Sequence, residues 1–168
     1  MGRLPATFAN QPIKDRFPYA MNGELRLTTG QTGLQFVDSV FNNGTDKPFE
    51  CHRMIPRVYA CDSNNRLISP QPAMELLLAL VRVQIDITNL EQKITKSPTI
   101  LGTLVKGSAE MTWEFADPFY LIKSNNVTIA CNAQTFPALA VIENLNNILV
   151  AITFEGFFCV IAPPMANR

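Results

Sequence analysis

The only histidine, His52, stands beside one of the four cysteines, Cys51, and this pair is the first place in the chain where nucleophilic chemistry could arise. Neighbouring side chains of an extended strand point to opposite faces, so Cys51 and His52 share a site only if the backbone kinks between them. A histidine that packs and hydrogen-bonds near a bend is the expected state. Cys61 or Cys159 reaching His52 across the fold is the remaining route to a Cys-His pair. Cys51, Cys61, Cys131 and Cys159 lack the short paired spacing of zinc and redox motifs, and a single histidine is too few for the histidine-gathered metal of cupin-type sandwiches. Reduced, mostly buried thiols are expected, with no cofactor, no metal and no catalytic residue.

Paired carboxylates offer little more. Glu110 and Glu114 would lie on one face of a strand, but four residues at ~3.3 Å each separate them by roughly 13 Å, whereas glycosidase pairs sit about 5 to 9.5 Å apart. Asp117 before Pro118 reads as a turn. The chain holds no phosphate-binding loop, no Gly-x-Ser-x-Gly elbow and no dinucleotide fingerprint, and the glycines from Gly30 to Gly33 suit a hairpin loop.

Composition points to burial rather than to chemistry. Of 168 residues 47% are hydrophobic and 17% charged, below the ~25% charged of an average soluble domain, so much of the exterior must be neutral or covered. The 14 basic and 14 acidic residues balance, and the basic ones are scattered, which disfavours a nucleic-acid surface. No stretch approaches the roughly 20 apolar residues of a membrane span, and the first twenty residues lack the pattern of a signal peptide; a soluble, unexported product is expected.

The elements that would position these residues read as an all-β protein, an antiparallel β-sandwich of jelly-roll-like type with an extended N-terminal arm. Residues 1 to 22 carry Pro5, Pro12 and Pro18 among the aromatic residues Phe8, Phe17 and Tyr19, and are expected to form an arm with apolar anchors; residues 23 to 168 form the single sandwich domain. Glu24 to Thr29 and Leu34 to Phe41 resemble a hairpin. Phe49 to Cys61 is a longer strand in which Pro56 requires a bend, a bulge or an edge. Residues 69 to 80 fit a strand continuation or a short helix, the strand being favoured by its β surroundings. Val81 to Thr88 alternates, with Val81, Val83, Ile85 and Ile87 on one face. Leu101 to Val105 is a short strand candidate. Glu110 to Phe115 would turn Met111, Trp113 and Phe115 inward and Glu110, Thr112 and Glu114 outward, and Phe119 to Lys123 and Val127 to Asn132 flank an asparagine-rich turn.

The last pair, Ile148 to Phe154 and Phe157 to Ile161, surrounds Glu155-Gly156 and is apolar on both faces. Cover for the second face comes from a central position under the chain's own loops, from the N-terminal arm, or from another subunit. Phe8, Phe17, Tyr19, Leu149, Phe157 and Phe158 are the candidate interaction residues, and a homo-oligomer is the expected state.

The segments Phe49 to Met54, Asp117 to Ile122, Asn126 to Ile129 running into Asn132, and Val150 to Gly156 resemble, in strand and turn style, the small jelly-roll or sandwich-like structural proteins of tailed bacteriophages. That resemblance implies a capsid cement or decoration protein, or another head or tail component, assembled as a symmetric homo-oligomer with a trimer favoured. Such a protein would reside in the virion, be made in the host cytoplasm, and contact copies of itself and the major capsid protein, without touching nucleic acid or membrane. The competing classes are a carbohydrate- or receptor-binding sandwich module and an unrecognised enzyme. Trp113, sharing its expected face with Met111 and Phe115, reads as core rather than as a sugar platform.

Overall fold

A computed structural model describes residues 12–28, 37–42, 45–87, 92–95, 97–105, 110–123, 126–133 and 142–162. Among these the chain is all-β: nine strands and two short helices, with the strands in two antiparallel sheets. One sheet has the order β1 (Ile13–Thr28), β9 (Asn147–Ile161), β3 (Phe49–Cys61), β7 (Trp113–Leu121). The other has the order β2 (Val37–Asn42), β8 (Asn126–Ala133), β4 (Val81–Ile87), β5 (Gln92–Lys93), with β6 (Thr99–Ile100) also on β4. Their inward rows meet in one core that joins Met54, Val58, Ile152 and Phe154 of the first sheet to Val83, Ile85, Val127 and Ile129 of the second.

The pairing is nested: β1 lies on β9, β2 on β8, β3 on β7, and β4 on β5 and β6. The chain is thus doubled into a long antiparallel ribbon, and winding that ribbon brings β9 against β3 and β8 against β4. Strands adjacent in sequence therefore fall mostly in opposite sheets. This overturns two expected hairpins: β1 and β2 do not pair, nor do β7 and β8, because each pair is divided between the two sheets.

Period-two patterning holds where both flanks are paired. Val81, Val83, Ile85 and Ile87 are buried and the residues between them half-buried, as the alternation predicts. The segment 69–80 departs from the favoured strand: Met74–Leu80 is a helix, α1, burying Leu77, Leu78 and Leu80. Its run of unbranched helix formers prevails over the surrounding β context because α1 packs against both β3 and β4 and needs no strand partner. Leu101–Leu104 is likewise a single helical turn, α2, and not a strand. The alternation expected from Glu110 begins only at Trp113; Met111 has φ 52°, Thr112 is buried instead of outward, and Trp113 sits partly buried at the core margin.

Three further expectations are corrected by the long strands. Glu155-Gly156 is not a turn, since β9 runs unbroken through it. Asp117-Pro118 does not reverse the chain either. Cys51 pairs with Phe119 and Arg53 with Glu114, so Phe115 to Pro118 bulge out of the ladder opposite His52. Finally, the boundary expected between residues 22 and 23 falls inside β1, which pairs with β9 from Ile13 to Thr28. Residues 13–22 are sheet; Phe8 and the rest of 1–11 lie outside the described residues.

The prolines explain themselves once the edges are known. The Cys159 amide donates to the Pro48 carbonyl on the β3 side, so Phe158 and every second residue of β9 bond toward β1, and in β1 their partners are Phe17, Tyr19 and Met21. Pro18 falls between these, with its nitrogen on the free edge, where no ladder bond is lost and strand addition is blunted. Pro56 lies beyond the last β3–β7 pair at Met54. There the Gln71 side chain substitutes for a strand, accepting from the Ala60 amide at 2.9 Å and donating to the Ala60 carbonyl at 2.8 Å.

Candidate functional site

The outer face of the β1-β9-β3-β7 sheet carries a polar row with one residue from each strand. Arg16, Cys159, Glu50 and Tyr120 follow the ladder pairs Arg16↔Cys159 and Glu50↔Tyr120, and the bulge at His52 brings the imidazole to the same place. Glu50 is the centre and is only 4% exposed. Arg16 Nε donates to Glu50 Oε2 at 2.8 Å, the Cys159 thiol to the same oxygen at 3.3 Å, and His52 Nε2 lies 3.1 Å from Oε1. Burial and the nearby Glu50 charge raise the pKa of the Tyr120 phenol.

Burial alone would raise the Glu50 pKa, but the Arg16 guanidinium, the Cys159 thiol and His52 together hold it below the usual carboxylate range. The same burial, with the Glu50 charge beside it, pushes Cys159 up to about 12. The thiol is thus a protonated donor, not a nucleophile poised to attack. Cys159 does reach the neighbourhood of His52, as one expected route required, but Glu50 stands between them. Cys51 points the other way into the core, where burial pushes its thiol up as well. All four cysteines are free and buried, as their spacing implied.

A carboxyl whose folded pKa is depressed contributes stability that is present above its unfolded pKa, about 4.3, and lost as pH falls through the folded value. Glu50→Gln is expected to lower stability at pH 7 by about 1 to 2 kcal/mol, below the range for a fully buried pair because Arg16 is half exposed and can rehydrate. Denaturant titrations should show that difference shrinking toward zero as the pH drops below the ordinary carboxylate range. A difference that stays constant from pH 7 to 3 would mean the charge on Glu50 contributes nothing.

Next to this row lies a groove of about 760 Å3 bordered by Pro18, His52, Arg53, Glu114, Glu155 and Phe157. Arg53 is clamped on Glu155 at 2.6 Å, and Glu110 and Glu114 also bear on its charge. Glu110 and Glu114 thus act on an arginine's charge and form no strand-borne acid–base pair, since Glu110 precedes β7 instead of lying on it. His52 meets the Phe157 ring edge-on at 5.5 Å. Among the described residues no group of three or more acidic, histidine or cysteine side chains could hold a metal, and no helix is long and apolar enough to cross a membrane.

The candidate interaction residues separate into three places. Phe17, Tyr19 and Phe158 share the inner face at the far end of β1 and β9, where Tyr19 packs on Phe158 at 4.2 Å and Phe17 lies under Lys47 at 5.7 Å. Phe157 faces outward into the groove. Leu149 is half-buried on the outer face near the start of β9, opposite Tyr59. Sequence reasoning missed Glu50, and it missed Leu67 and Leu76. Those two, with Phe17 and Tyr19, are the large exposed hydrophobic residues among the described residues, at 57%, 38%, 53% and 47% exposure. Leu67 and Leu76 line a second cleft, of about 950 Å3, formed by residues 62–76 and 142–146.

Comparison with protein-family models, curated proteins and solved structures finds no match to this chain.

Proposed function

We propose that this chain is a non-enzymatic structural protein of a tailed-bacteriophage particle, most closely a capsid cement or decoration subunit that stabilises a shell through symmetric contacts with itself and with the major capsid protein. The observation that carries the reading is the nested strand order, β1-β9-β3-β7 facing β2-β8-β4-β5. A doubled ribbon wound into two sheets supports the jelly-roll form of the sandwich, an architecture used by viral capsid domains, lectins and cupins. The lone histidine argues against the cupin branch. Low charge and exposed Phe17, Tyr19, Leu67 and Leu76 favour a protein that hides surface against other copies.

Light scattering of the purified protein at tens of micromolar is expected to give an oligomer, with a trimer favoured, and mass spectrometry of purified particles is expected to find the chain. A strict monomer absent from particles would overturn the proposal.

The groove beside Phe157 supports a second reading, a carbohydrate- or receptor-binding module, since it combines an aromatic wall with Arg53, Glu114 and Glu155. A clear glycan-array hit abolished by Phe157→Ala would favour it over the shell role.

A further inference from the structure

We infer that the chain self-associates head to tail, the Phe17/Tyr19 end of one copy seating in the Leu67/Leu76 cleft of the next. The inference rests on the self-association reading above and names both of its surfaces.

The two exposed apolar pairs lie at opposite ends of the sandwich. Phe17 is level with Phe158, near the end of β9, whereas Leu67 bridges Cys61, which pairs with Asn147 at the start of β9. Eleven residues of strand at about 3.3 Å each separate the two levels, roughly 36 Å, so one copy cannot satisfy both ends by itself.

Their shapes and charges are complementary. Phe17 and Tyr19 share one face of β1, where Tyr19 packs on Phe158 and Phe49 and Phe17 faces Phe158 across the ladder, and together they form an aromatic knob. Leu67 and Leu76 line a recess between a loop and α1. Lys47 lies over Phe17 and Lys14 is three residues from it, against Asp15, while Arg16 is neutralised by Glu50 and Asp46 by Lys123; the cleft is lined by Asp62 and Glu143, with Arg66 beside Leu67 and Glu75 beside Leu76. The knob side thus carries a small net positive charge and the cleft a net negative one, which favours the knob-to-cleft encounter over knob-to-knob or cleft-to-cleft. Pro18 on the free edge of β1 disfavours the main competing contact, sheet extension through that edge.

Two different surfaces in contact make a heterologous interface, which closes into a ring when the rotation permits and otherwise propagates. A closed ring of copies would satisfy every knob and every cleft. Each contact is small, and closure supplies the rest of the affinity.

The test uses the full chain. Phe17→Asp and Leu67→Lys alter side chains that are more than half exposed, so circular dichroism should be unchanged. Each variant alone is expected to sediment as a monomer at concentrations where the wild type associates, with association at least tenfold weaker. A cysteine trap provides the second measurement: under mild oxidant, a Phe17→Cys copy mixed with a Leu67→Cys copy should give a covalent dimer, whereas neither should when oxidised alone. If the wild type associates and both charged variants associate equally well, or if Phe17→Cys couples to itself and not to Leu67→Cys, the head-to-tail contact is wrong while self-association stands. A wild type that remains monomeric throughout overturns both.

Discussion

Gly156→Ala is expected to lower stability by about 3 kcal/mol or more, at or above the top of the range for overpacking a core. A Cβ built on Gly156 would lie 1.9 Å from the Glu50 carbonyl oxygen and 2.9 Å from its carbon, and both are backbone atoms that no rotamer change can move. The close approach arises because β3 bulges at His52: Gly156 pairs with Cys51 and Glu155 with Arg53. Any side chain would push β3 off β9 at the point where Glu50 gathers Arg16 and Cys159, so the polar row would be disturbed along with the ladder. Gly102→Ala is the control. There the nearest atoms lie at 3.5 Å, ordinary contact, and the position is inside α2, so the change should be neutral or slightly stabilising. Urea midpoints for the two variants measure the contrast; equal midpoints would show that β3 and β9 can part at Gly156 without loss.

Deleting residues 1–20 is expected to destabilise the folded chain by about 2 to 4 kcal/mol. Had these residues formed a separate arm, their loss would leave the domain intact. Instead the deletion removes half of β1 and turns Glu155–Ile161 into an unpaired edge. It strips Tyr19 from Phe158 and Phe49, at ~0.5 to 1.5 kcal/mol for each aromatic contact, and leaves the Glu50 carboxylate without its guanidinium. Deleting residues 1–11 provides the comparison, since β1 begins at Ile13. Thermal melts should place this shorter deletion near the full chain and the longer one well below it. If both melt like the full chain, β1 is dispensable before Met21 and the boundary near residue 22 was drawn correctly. If both fail to fold, residues 1–11 contribute to the core as well.

The sequence by itself determined the fold class and the chemistry of the single side chains. Alternation in Val81–Ile87, β-branched runs broken by Gly, Asn and Pro, and cysteines without ligand spacing are local patterns, and the strands, buried inward rows and free thiols follow from them. Of the bend, bulge or edge that Pro56 required, the structure has the edge, since β7 pairing ends at Met54, and the double-sided apolar β9 is in part explained by its central place in the sheet. What local pattern cannot carry is partnership. β1 finds β9 more than a hundred residues away, so the strands flanking Gly30–Gly33 and Ser124–Asn126 pair elsewhere and form no hairpins. Gly156 looked like a turn for the same reason, because glycine marks a tight bend and a close backbone approach alike, and only the position of Glu50 tells them apart. The polar row is the clearest case. Arg16, Glu50, Tyr120 and Cys159 are unremarkable in sequence, and they become one site only because four strands from four parts of the chain lie side by side, with a one-residue bulge setting their register.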